Sequence, residues 1–335
     1  MNYYSVDQYY KSIFGHKVYK LTLDAACTCP TRDGTKSYDG CIFCSGAGSG
    51  EFAADRHLSV TAQIEKAKLL VASKMKGADP AAANYIAYFQ NFTNTYARTE
   101  AEEDRLIGKF REALECPDIA GIAIATRPDC LSESILKKIA YLAECEFAVG
   151  RSQLTGGDES LGRAAPDDAQ SVGRTGYSRK HFSIEFGLQT SCERTAKSIN
   201  RCYDNQEYES AIARIKAANK DIHIVTHLIF GLPEESEREM LDSVQYAVDC
   251  GTDGLKIQVL NVLQGTRLAD EYAAGKVRVL EQDEYFALLK KALNKIPPKI
   301  VIHRLTGDGP KNILIAPEWI KNKRKVMNDL RAYLK

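Results

Sequence analysis

Cys29, Cys41 and Cys44 fall within sixteen residues, spaced C-x11-C-x2-C in a loop rich in Gly and Asp. Three thiolates on one loop can hold a zinc ion or an iron–sulfur cluster. Structural zinc sites and ordinary ferredoxin clusters take four protein ligands, whereas three leave one iron of a cubane open to a small molecule. Cys27 is a rival ligand, but it sits at the end of the preceding apolar run rather than inside the loop. A second concentration lies near the C-terminus, where His303, Arg304, Asp308 and Lys311 share nine residues with two glycines. His and Arg suit an anionic group such as a phosphate or carboxylate; an ordinary solvated loop has the same composition.

Chemistry of this kind needs rigid elements to present it. Residues 17–26 alternate in polarity and read as a first strand that delivers the cysteine loop. Further strands are expected over 84–91, 119–126, 181–189, 221–230 and 254–263, with helices over 60–75, 105–114 and 132–145. Strands alternating with helices about six times imply parallel βαβ units. The expected fold is an α/β, partial (β/α)6 TIM-like barrel over 17–265, with an N-terminal segment 1–16 and a C-terminal α/β extension 266–335 carrying the substrate side. Such barrels place chemistry at the C-terminal ends of their strands. The cysteine loop, Gln90, Arg127, Gln189 and Gly231 follow the first five strands in turn. Residues 150–180, with six glycines and almost no large apolar side chains, are too long and polar for an ordinary connection and read as a flexible surface insertion.

Composition narrows the classes. The chain has 335 residues, 44% hydrophobic, with net charge +1, so global charge gives no nucleic-acid signature. No apolar run is long enough to span a membrane and no signal peptide opens the chain, which predicts a cytoplasmic protein. Ten cysteines in a reducing compartment argue against a disulfide framework. From Glu318 to Lys335 the tail carries six Lys/Arg against two acids, either a solvated helix face or an RNA-backbone contact.

The stretch CPTRDGTKSYDGCIFC resembles the cluster loop of a radical S-adenosylmethionine (SAM) family related to the catalytic subunit of Elongator. The resemblance runs from about Lys17 to Pro317 and includes YFQNFTNTYA, ATRPDCL, EFGLQTS, INR, THLIFGLPEE and IHRLTGDGPKNILIAP. It departs at Cys192, Cys202, Gln258 and Asn261, where the family pattern has other residues; these positions lie near the substrate side and leave room for a different substrate. The resemblance implies a [4Fe–4S] cluster on Cys29, Cys41 and Cys44, and SAM as the molecule on its open iron. It also implies a one-electron donor such as flavodoxin or ferredoxin.

Within that reading Gln90 offers its side-chain carbonyl to the SAM amine, and Arg201 forks onto the SAM carboxylate. Glu185 and Gln189 meet the ribose or sulfonium, although a carboxylate inside an apolar strand is equally suited to a buried ion pair. Gly231 lets the backbone approach the adenine. His303, Arg304, Asp308 and Lys311 then hold substrate. The implied activity is a radical SAM enzyme acting on the C5 side chain of a tRNA wobble uridine. Few residues follow Pro317, so acetyl-CoA-dependent carboxymethylation, which needs Elongator's further domain, is not expected. A radical SAM catalyst for a small metabolite or peptide is the alternative; from another class, a non-catalytic metal-binding RNA adaptor.

Overall fold

The computed structural model describes residues 3–48, 53–73, 75, 83–150, 176–307 and 309–335. A short helix α1 (Val6–Phe14) precedes strand β1 (Val18–Leu23). Then α2 (Val60–Ala72), β2 (Asn84–Phe89), α3 (Glu100–Glu115), β3 (Ile119–Thr126) and α4 (Glu133–Glu144) alternate. An antiparallel hairpin of β4 (Glu146–Val149) and β5 (Gly176–Arg179) interrupts them. The alternation resumes with β6 (His181–Gln189), α5 (Glu193–Ser198), α6 (Asn205–Ala218), β7 (His223–Phe230), α7 (Glu237–Asp249) and β8 (Gly254–Val259). The last part holds β9 (Val262–Leu263), α8 (Arg267–Ala273), α9 (Gln282–Lys295), β10 (Val301–Arg304), β11 (Leu314–Ala316) and α10 (Lys323–Tyr333).

Seven of these strands form one parallel sheet in the order β1-β2-β3-β6-β7-β8-β10. Helices cover it, so β2 and β3 are buried along their whole length and read as continuous apolar runs. Side-chain caps fix where the helices begin: Thr99 for α3, Ser132 for α4, and a reciprocal Ser236–Glu239 box for α7. Strands β1 and β10 do not pair with each other, so the sheet curls without closing. Among the described residues no helix is long and apolar enough to cross a membrane.

Three features differ from the sequence reading. First, β10 joins the sheet as a seventh strand, so the expected boundary at 265 runs through the barrel. Its four residues, VIHR, are too few to show a period in sequence. Second, the expected sixth strand over 254–263 breaks into β8 and β9, which pair with different partners. Third, the segment expected as a free insertion ends in structure: β5 pairs with β4, and buried Lys180 donates to Leu114 O at 2.7 Å and Cys116 O at 2.9 Å. Residues 151–175 of that segment lie outside the described residues.

The N-terminal segment also has a job. Helix α1 starts on a Ser5–Gln8 capping box and ends at Gly15 in the left-handed region. Tyr9 and Tyr10 press against His181, His223 and His303 at the N-terminal end of the barrel. The His223 ring stacks on Tyr9 at 4.5 Å, and its Nε2 lies 3.0 Å from His303 Nε2. Burial pushes His181 and His223 down to about 3 and holds His303 well below the usual imidazole range. These rings are neutral when folded and take up protons only when released. Below about pH 6.5 the unfolded chain therefore binds more protons, and stability falls as pH drops toward 3. Phe in place of His223 should flatten that loss between pH 6.5 and 4 in denaturant titrations. An unchanged pH slope would mean the imidazoles are already charged in the fold.

Candidate functional site

The cysteine loop leaves β1 and is tied down at several points. Arg32 N and Asp33 N fold back onto Cys29 O, and Cys44 N donates to Cys41 O at 2.9 Å, closing the C-x2-C turn. Arg32 reaches across the loop to Cys44 O at 2.8 Å and Ser45 O at 2.7 Å. From outside, Asn200 Nδ2 donates to Gly40 O at 2.6 Å, and Ile42 N donates to Ile199 O. The short INR motif is thus a brace for the loop.

All three cysteines line one cavity of about 180 Å³. A second hollow of about 730 Å³ adjoins it, and Phe43, Gln90, Gln189, His227, Gln258 and Arg304 line both. The thiols suit a cluster better than a lone ion. Among the described residues no three His, Cys, Asp or Glu side chains form a set that could hold a metal ion as placed, whereas a cubane separates its ligands over several irons. Burial pushes the Cys41 thiol up to about 12, so it becomes a thiolate only against a strong local cation such as iron. Cys27 faces elsewhere: it is buried in the core and lines a different cavity with Arg56, Arg105 and Lys109.

The other expected residues divide. Gln90 and Gln189 line the shared wall. Gln189 has φ 68°, and its Oε1 is buried without a partner, an acceptor aimed at something the protein does not supply. Arg304 lines the shared wall and Lys311 the outer hollow. Asp308 lies outside the described residues.

Three expectations are corrected, those for Arg201, Gly231 and His303, and for Glu185 the buried ion pair is the alternative that holds. The five donors of buried Arg201 are spent inside the protein: Nε on Tyr203 O (2.9 Å), Nη1 on Thr190 O (2.7 Å) and Leu188 O (3.3 Å), Nη2 on Asn205 and Glu193. It clamps the end of β6 and has none left to fork onto a carboxylate. Glu185 is also committed: Oε1 takes Lys20 Nζ at 2.9 Å, while Oε2 takes Lys256 Nζ, and His227 Nε2 at 2.9 Å. Burial alone would raise this carboxyl, but Lys20, Lys256 and His227 together hold it well below the usual range. Gly231 lines neither hollow. Its φ of 88° turns the chain beneath Leu280, whose Cγ stands 3.0 Å from where a Cβ would be, and its N–H meets Met240 Sδ. His303 lines neither hollow: it packs against α1 and shares a separate cavity with Gln90, Lys256 and Arg304.

Sequence reasoning also missed residues. Lys20 and Lys256 were legible as lone cations inside apolar strands, VYKLTL and GLKIQV, but nothing local matched them to Glu185. Arg127, expected at the end of the third strand, is where the sequence put it: buried in the cluster cavity, it grips Asp129 through Nε at 3.0 Å and Nη2 at 2.9 Å.

Comparison with known proteins agrees with this geometry. The Radical_SAM C-terminal domain family matches residues 252–335. YtqA of Bacillus subtilis is 35% identical over 332 residues, covering 99% of this chain and 89% of its own length. A tRNA-2-methylthio-N(6)-dimethylallyladenosine synthase of Dehalococcoides mccartyi is 30% identical over 108 residues, 32% of this chain and 26% of its own. The solved structure of Elp3 from the archaeon Methanocaldococcus infernus superposes with a TM-score of 0.59 at 14% identity, a likeness of fold. That match covers 94% of this chain, which spans 63% of the Elp3 chain.

Proposed function

The chain belongs to the radical SAM family of YtqA, with a fold like that of Elp3, and from that premise we propose that it is a tRNA-modifying enzyme acting on the wobble uridine side chain. Its cofactors are a [4Fe–4S] cluster and SAM. Together these supply, on one-electron reduction, a 5′-deoxyadenosyl radical that abstracts hydrogen from substrate. The chain's own residues bind and orient. Cys29, Cys41 and Cys44 hold the cluster through three thiolates. Gln90 and Gln189 hold the polar atoms of SAM where the two hollows meet. Phe43, Ile229 and Leu260 keep water from that wall.

One observation carries the choice of substrate. Arg304 and Lys311 line the outer hollow with Lys323 and with Lys321, which pairs with Glu318 at 2.9 Å, and no Asp or Glu among the described residues lines it. A hollow with that charge takes an anion, and a nucleic-acid backbone supplies one. The matching segment of a tRNA-modifying enzyme agrees with it. The electron comes from a flavodoxin or ferredoxin. Nucleosides from tRNA of a deletion strain should show loss of one modified uridine and accumulation of its precursor. Purified enzyme with cluster, SAM and reduced flavodoxin should convert that precursor tRNA. An unchanged nucleoside profile removes tRNA as the substrate.

A further inference from the structure

His227 lies on β7 with its ring at the wall both hollows share. Its Nε2 is 2.9 Å from Glu185 Oε2. An ionised carboxylate only accepts, and Lys20 and Lys256 keep Glu185 ionised, so Nε2 must carry the hydrogen. Nδ1 is then a fixed lone pair. The side chain is 20% exposed, and the described residues give Nδ1 no partner. Burial pushes the imidazole down to about 4, so the ring is neutral at pH 7. The facing charged groups are Glu185, Lys256 and Arg304.

Gln258 stands beside it. The β7–β8 register sets His227 against Lys256 and Ile229 against Gln258, and Gln258 lines the same two hollows. Its amide has no described partner. The wall therefore offers an obligate acceptor next to an amide that both donates and accepts. A uracil-type base has the complementary edge, a ring N–H between two carbonyls. Cytosine has a lone pair at that ring nitrogen, which would face the Nδ1 lone pair.

We propose that His227 and Gln258 determine base specificity: the ring N–H of a flipped-out uridine donates to His227 Nδ1, and the Gln258 amide donates to a flanking carbonyl. This rests on the tRNA reading above. An unstacked base read along its hydrogen-bonding edge is the usual way for an enzyme to reach one nucleotide in RNA. Glu185 and its two lysines become positioning residues that hold the tautomer.

The test uses cluster- and SAM-loaded protein with anticodon stem-loop RNAs that differ only at the wobble nucleotide: uridine, N3-methyluridine or cytidine. Fluorescence anisotropy should show uridine bound roughly ten- to a hundredfold tighter than either other loop. His227→Phe should erase that gap, the uridine loop losing its acceptor and the cytidine loop its repulsion. Equal binding of all three loops by the wild type overturns the inference and leaves the tRNA reading standing. So does undiminished discrimination by His227→Phe. Failure of the wild type to bind any loop overturns both. Nitrogen-15 spectra of the wild-type imidazoles give a check that needs no variant: the Nε2–H tautomer is expected for His227 at pH 7, and an Nδ1–H tautomer or an imidazolium sinks the proposal.

Discussion

Alanine at any one of Cys29, Cys41 or Cys44 should abolish the iron–sulfur absorbance of anaerobically reconstituted protein, while alanine at Cys27 leaves it intact. A cubane already short of a fourth protein ligand has no spare anchor, so losing one thiolate removes the cluster rather than weakening it. Cys27 is two residues from Cys29, yet it is 7% exposed, belongs to the apolar core, and has its thiol pushed up to about 12 by burial. Its neighbours Ala25, Arg56 and Lys109 line a cavity on the other side of the loop. Iron and sulfide analysis of the four variants decides the matter. Retention of iron in Cys29→Ala together with loss in Cys27→Ala would reverse the assignment.

The second large effect is on stability. Glu185 neutralises two lysines inside the barrel, and it is fully buried. Replacing it with Gln keeps the shape but leaves Lys20 and Lys256 facing each other without a counter-charge. Removing one partner of a buried ion pair typically costs about 3–5 kcal/mol. Chemical denaturation should show a loss of that size for Glu185→Gln. Adding Lys256→Met should recover part of it, because the double variant no longer holds an uncompensated second ammonium. A single variant as stable as wild type would mean that Lys256, which burial already pushes well below the usual ammonium range, sheds its proton when the carboxylate is gone.

Strands β3 and β6 were legible to the residue, because their apolar runs stop at Arg127-Pro128-Asp129 and at Gln189. The strand ends named the region of the site for the same reason: the cluster loop, Gln90 and Gln189 meet in one hollow. What local pattern cannot report is partnership. Glu185 stood out as a carboxylate that needed a counter-charge, but its lysines are on β1 and β8, distant in sequence. His303 and Arg304 looked like one constellation because they are adjacent. Both line a cavity beside α1 with Lys20 and Lys256, but only Arg304 reaches the two hollows at the cysteine end, which strand alternation allows and sequence adjacency hides. Arg201 was read as a ligand from the INR motif of the resemblance and the carboxylate-forking geometry of a guanidinium; backbone carbonyls satisfied it instead.

The unpaired edges of β1 and β10 give the enzyme a mechanical property. A closed barrel has its girth fixed by hydrogen bonds around the whole ring, so widening it breaks some of them. Here the ring is left as a seam, and the sheet can splay by changing its twist while every ladder stays intact. Helix α1 spans that seam: Ser5 bridges to Ile302 on β10, and Tyr10 packs with Val18 on β1. It acts as a buckle, and its fit to the two edges sets how far the ring stands open. The girth of the ring is therefore tied to α1, whose Val6, Asp7 and Tyr10 line a cavity together with Gln90 and Arg304.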